Sequence, residues 1–142
     1  MREDSQAMRV DEDDNFTIDL HDDGVVMLRV WKRPDLPFEK GAALARRMLA
    51  TASALARDDR AKGLVFDLRD APVLTGPRTR GTLAELVGAW EAAGKRVGVL
   101  LVPGVQRMTL EPDLARAART CARFADVPEQ ARDWALGAPT SP

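Results

Sequence analysis

The chain has one cysteine and one histidine in 142 residues, and aromatic residues make up only 5% of it. With Cys121 alone, an internal disulfide and any multi-cysteine metal site are excluded, and Cys121 reads as a small buried hydrophobe. His21 has no His or Cys partner in sequence, so a metal centre or a nucleophilic dyad has little support. No cofactor and no metal are expected. Long apolar runs are also missing: stretches such as Val97–Val102 are far too short to span a bilayer. The opening MREDSQAMRVDEDD places no apolar segment behind a basic start, which argues against a secretory signal. These absences point to a cytoplasmic protein with no membrane partner.

A net charge of −1 conceals an asymmetry. Residues 1–23 hold nine acids against Arg2 and Arg9, so they carry −7 and the remainder +6. Arginine supplies 17 of the 21 basic residues, and its planar guanidinium suits carboxylates and phosphates. The basic bias is too weak for a nucleic-acid binder. Residues 1–14 read as an acidic, flexible tail, residues 15–137 as one α/β domain, and residues 138–142 as a second tail.

Within the domain, Phe16–Leu20 alternates apolar and polar residues as a half-buried strand does. An Asp-Gly turn at Asp23-Gly24 leads to a second strand, Val25–Trp31, which makes an antiparallel hairpin. Phe38–Asp58 reads as a helix with Phe38, Leu44, Met48, Ala52 and Leu55 on one face. Leu64–Leu68 is almost continuously apolar, the pattern of a parallel strand covered on both faces. Thr82-Leu-Ala-Glu85 matches a capping box and predicts a helix whose stripe is Leu83, Leu86, Val87 and Trp90, stopped by Gly94. Val97–Val102 reads as the central strand. A third helix is expected over about Glu111–Thr120 and a short edge strand over Cys121–Ala125. A final helix, capped from Asp126, runs to Leu136 and docks through Val127, Ala131 and Trp134. The order predicts a mixed, mostly parallel sheet with an N-terminal hairpin and about four helices.

The strand Leu64-Val-Phe-Asp-Leu68, the turn after it and the helix Thr82–Trp90 resemble the STAS family of anti-sigma-factor-antagonist-like domains. Arg123–Leu136 is similar to the family's short strand and last helix, and the resemblance covers about residues 16–136. It implies a signalling domain that binds another protein, such as an anti-sigma factor or a kinase-like regulator. In the family, an Asp-Ser-Ser/Thr-Gly motif ahead of the second helix carries the phosphoacceptor. Counting from Asp67, the motif's Asp falls near Thr75 and the acceptor near Pro77, which has no hydroxyl. Thr75-Gly76 imitates the acceptor and its glycine only with Leu74 in the acid's place. The resemblance therefore implies the fold and an interaction surface with the usual phosphoswitch lost or rebuilt.

In open α/β sheets, ligands gather beyond the carboxyl ends of the parallel strands. Three loops should meet there: Trp31–Pro37, Asp70–Gly81 and Pro103–Arg107. They bring Lys32, Arg33, Asp70, Arg78, Arg80 and Arg107 to one rim, with Thr75, Gly76 and Thr79 between them. This edge is the candidate site for a protein partner's acidic side chains or for an anion. Gly76–Gly81 fails the pattern of a phosphate loop, and Pro77 removes an N–H from any nest. Trp31 is either an exposed binding anchor or half-covered beneath the Pro34–Pro37 loop. No catalytic constellation is visible, since Asp67 serves as a general base only if burial raises its pKa. The expected function is non-enzymatic protein interaction. The alternatives are a module for a small anion (phosphate, nucleotide or lipid) and a homodimeric scaffold joined through the sheet edge or Trp31.

Overall fold

The apolar run around Phe66 lies inside a six-stranded sheet whose strands follow one another in chain order. The computed structural model describes residues 6–31, 35–70, 77–102 and 121–137, and for residues 77–80 the backbone alone. The strands are β1 (Ala7–Asp13), β2 (Phe16–His21), β3 (Val25–Trp31), β4 (Gly63–Asp70), β5 (Arg96–Leu100) and β6 (Ala122–Ala125). The helices are α1 (Phe38–Leu55), α2 (Pro77–Ala92) and α3 (Pro128–Ala135). β1, β2 and β3 pair antiparallel, and β3 through β6 pair parallel. The mixed α/β architecture with its opening hairpin is as the sequence predicts. Three helices, rather than four, stand among the described residues; the helix expected at 111–120 lies outside them.

Alternation along each strand sorts the side chains onto two faces. Phe16, Ile18, Leu28, Leu64, Phe66, Val97 and Val99 turn toward α1 and α2 and form the main core with Leu44, Met48, Leu86 and Trp90. Trp90 is fully buried, and its indole N–H donates to the Ala52 carbonyl at 3.2 Å, tying α2 to α1. The opposite face holds a smaller cluster in which Val25, Val65 and Leu100 meet Ala131 and Ala135 of α3. Gly24 takes a φ of 97° in the Asp-Gly turn, and Gly94 one of 74° behind α2, conformations that favour glycine.

Several expectations are corrected. Residues 7–13 are an edge strand instead of part of a flexible tail. Val10 of β1 packs partly buried against the main core, but its neighbours that turn toward α1 are charged. Asp11 and Asp13 accept from Arg47 of α1, with Nε–Asp11 at 3.1 Å and Nη1–Asp13 at 2.6 Å, and Thr51 donates to Asp11 at 3.3 Å. Burial pushes the Asp11 carboxyl up, but hydrogen bonds from Arg47, the Glu12 backbone N–H and Thr51, with the Arg47 charge, together outweigh it and hold the group below its ordinary value. Phe38 is 74% exposed, because six residues before Leu44 lies about 120° off the buried stripe of a helix. α2 begins at Pro77, five residues before the expected cap at Thr82; proline suits the first helical position, where its missing N–H costs nothing. β5 lies one strand from the edge, and β3 and β4 occupy the middle. The N-cap of α3 is Val127, one residue after the expected Asp126; it supplies no side-chain cap and is 45% exposed.

What docks α3 is close approach. A Cβ placed on Gly63 would stand 1.9 Å from the Ala135 carbonyl oxygen, and one on Gly98 would stand 2.6 Å from that of Ala131. Only glycine lets the helix backbone lie this near the sheet. Gly63→Ala is therefore expected to lose about 1–3 kcal/mol or more through overpacking. Gly88→Ala in α2 meets nothing within 4 Å and should gain about 0.5–1 kcal/mol from helix propensity. Urea midpoints at unchanged m-value check both signs.

Candidate functional site

The parallel strands β3 and β4 bring Trp31 and Asp70 into register at their carboxyl ends. A register shift between Arg29 and Trp31 interrupts the ladder just before the rim, and such irregularities re-aim side chains. Arg29 is in register with Asp67, yet its guanidinium reaches past it to Asp70, with Nη2–Oδ2 at 2.5 Å and Nε–Oδ2 at 3.0 Å. Asp67 is taken by Arg69, which grips both carboxylate oxygens at 3.0 and 2.9 Å. The Arg69 backbone N–H adds a third bond at 3.0 Å.

Asp67 is 5% exposed, the one buried charged residue among the described residues. Burial alone pushes its carboxyl upward, but the Arg69 side chain and backbone hydrogen bonds, with the Arg29 charge beyond, hold it below the usual carboxylate range. The Arg69 guanidinium is raised by the same contact. A general base at this position would need the opposite shift, so the conditional acid–base role for Asp67 is withdrawn. The quartet Arg29, Asp67, Arg69 and Asp70 is a charge-compensated brace under the rim.

Of the residues expected at the rim, Trp31 ends β3 half-buried, and Asp70 ends β4 exposed and paired with Arg29. Arg78, Thr79 and Arg80 lie in the first turn of α2 instead of in a loop, so the chain joining β4 to α2 is shorter than the sequence implied. Arg33, Thr75, Gly76 and Arg107 lie outside the described residues. Trp31 and Asp70 are thus brought together, at the end of the strand that leads to α2. Arg29 and Arg69 escaped the sequence reading, although each left a signal. Arg29 is the lone charge inside VVMLRVW, and Arg69 stands two residues after a carboxylate in an apolar strand.

His21 and Cys121 sit away from the rim. His21 ends β2 with its Nδ1 buried and without a hydrogen-bond partner, beside a cleft of about 510 Å³ lined by Met8, Leu20, Gly24, Arg60 and Lys62. The Cys121 thiol is buried, donates to the Val87 carbonyl at 3.8 Å and is pushed up to about 11 by burial and by Glu91. A second groove of about 710 Å³ runs between α1 and α2, and neither hollow includes Trp31 or Asp70. Among the described residues, no group of three or more His, Cys, Asp or Glu is placed to hold a metal ion. No helix among them is long and apolar enough to cross a membrane.

No protein-family model matches the chain, and a search of curated proteins found no match.

The Asp67–Arg69 contact makes a measurable prediction. Asp67→Asn leaves the guanidinium with a neutral partner and should lower stability near neutral pH by about 1–3 kcal/mol. A carboxylate whose pKa is depressed by folding adds stability above its unfolded value, near 3.9, and loses it as pH falls through the lower folded value. Urea titrations repeated across the acid range should therefore show a flatter pH dependence below about pH 4 for the variant than for the wild type.

Proposed function

We propose that this chain is a STAS-like regulatory domain that works by binding another protein, with no catalytic step and without the usual Ser/Thr phosphoswitch. The observation that carries this reading is the topology: an antiparallel hairpin feeds parallel βα units, and α2 follows the Asp-Leu strand at the rim. In STAS domains that junction carries the switch. Here Pro77 opens the helix, and a proline offers no oxygen to phosphorylate. Fold likeness alone does not assign a function, and the chemistry of the junction narrows it. Arginines at positions 78 and 80 in the first turn of α2 suit an acidic partner surface. An anti-sigma factor or a kinase-like regulator is the partner class, and the cytoplasm is the compartment this reading requires.

The start of α2 also favours a second reading, a module for a small anion such as phosphate, a nucleotide or a lipid headgroup. Free N–H groups and the macrodipole at a helix N-terminus attract negative charge.

Affinity capture from cells that make the protein tests the first reading. Arg78→Glu with Arg80→Glu should reduce recovery of the regulatory partner several-fold while circular dichroism stays unchanged. Equal recovery counts against the rim as the interaction surface. Phosphorylation of Thr75 or Thr79 in those cells overturns the switchless part of the proposal.

A further inference from the structure

Most described arginines answer to a carboxylate. Arg9, Arg29, Arg47, Arg60, Arg69 and Arg132 each bridge to an aspartate. Arg96 and Arg123 do not; neither forms an ion pair with a described residue. Both are instead drawn to one indole. Arg96 at the start of β5 holds its guanidinium carbon 4.1 Å from the ring centroid of Trp134, and Arg123 of β6 holds its own at 4.2 Å. Two cations thus share a single ring and stand within about twice that distance of each other, with no ion-pair partner among the described residues.

The ring itself is fixed. Trp134 lies on α3, whose backbone is pressed against Gly63 and Gly98, and its indole N–H donates to the Cys121 carbonyl at 3.0 Å. Gly98 and Arg123 are in register on adjacent strands, so α3 and both arginines occupy the same face of the sheet. This places the group toward the amino end of β5, opposite the rim that carries Trp31 and Asp70.

Stacking on an aromatic face restrains a guanidinium while leaving its in-plane N–H donors free. The margin of an aromatic ring carries partial positive charge. An anion seated at the margin of Trp134 would therefore meet two preorganised donor forks and a favourable ring edge. A dianion compensates both charges, and a tetrahedral phosphate matches the guanidinium fork.

We propose that Arg96, Arg123 and Trp134 form a binding site for a phosphate dianion, free or as a monoester, separate from the partner-binding rim. The two arginines donate to its oxygens, and the indole holds them in position. The site does not depend on the STAS-like reading, since no residue of it belongs to the rim.

Labelled full-length protein is titrated with inorganic phosphate and, separately, with O-phosphoserine, against sodium chloride at matched ionic strength. The Trp134 indole N–H and the Arg96 and Arg123 side-chain N–H signals report binding. A saturable shift with either phosphate compound, kept in Arg60→Gln and lost in Arg96→Gln/Arg123→Gln, is the expected result. Saturation by inorganic phosphate alone assigns the site to the free ion, and saturation by O-phosphoserine alone assigns it to a monoester. Shifts no larger than those from chloride, or shifts that persist in the double variant, overturn the proposal. Should the double variant disturb α3, Arg96→Lys/Arg123→Lys keeps both charges and removes the planar forks. Its phosphate affinity should fall several-fold while its melting temperature stays near that of the wild type, and an unchanged affinity overturns the site.

Discussion

β4 has water on neither face through most of its length, and the rest of the fold is arranged around that fact. Leu64, Phe66 and Leu68 face the layer made by α1 and α2, while Gly63 and Val65 face α3. A strand of this kind needs a paired neighbour on each side and a cover on each face. Parallel neighbours β3 and β5 supply the first, and helices on opposite sides supply the second. The same dryness explains Asp67. A carboxylate on such a strand persists only when its oxygens are filled, and Arg69 fills them from two residues away.

Much of this was legible in the sequence because hydrophobic periodicity reports which side chains meet other apolar groups. β2, β3, β4, β6 and the stripe of α2 could be read that way. β1 could not, because Val10 alone of its residues packs on the core and the strand is otherwise tied to α1 by Arg47 contacts to Asp11 and Asp13, and an ion pair leaves no apolar pattern. Phe38 misled for the complementary reason: it is apolar but out of phase with Leu44, Met48 and Ala52. The glycines at 63 and 98 look like breaks in composition, whereas their purpose is the nearness of α3, a tertiary property. At the candidate site, the topology placed Trp31 and Asp70 on one rim. The brace through Arg29 stayed hidden, since Arg29 and Asp70 are 41 residues apart and meet only once β3 and β4 pair.

The charges divide the molecule into two regimes. Beneath the rim every described cation has its anion, so the surface there presents shape and hydrogen bonding over a compensated base. Toward the amino end of β5 the order reverses, and two cations are packed against an aromatic ring without an ion pair to any described residue. Arginine serves both regimes because its plane can pair with a carboxylate or lie flat on an indole. A chain with few aromatic residues thus places one of its three tryptophans in the core and another among cations.

The acidic edge strand has a consequence for assembly. An open strand edge offers a row of backbone donors and acceptors to any passing chain, and sheets grow or aggregate through such edges. β1 carries Asp11, Glu12 and Asp13 along that border and is kinked by the register shift between Arg9 and Asp11. A second copy arriving edge to edge would find the hydrogen-bond row out of step at that shift. The residues that read as a loose tail in the sequence therefore form a sheet edge carrying two of the features, acidic side chains and a register shift, that blunt such edges against strand addition.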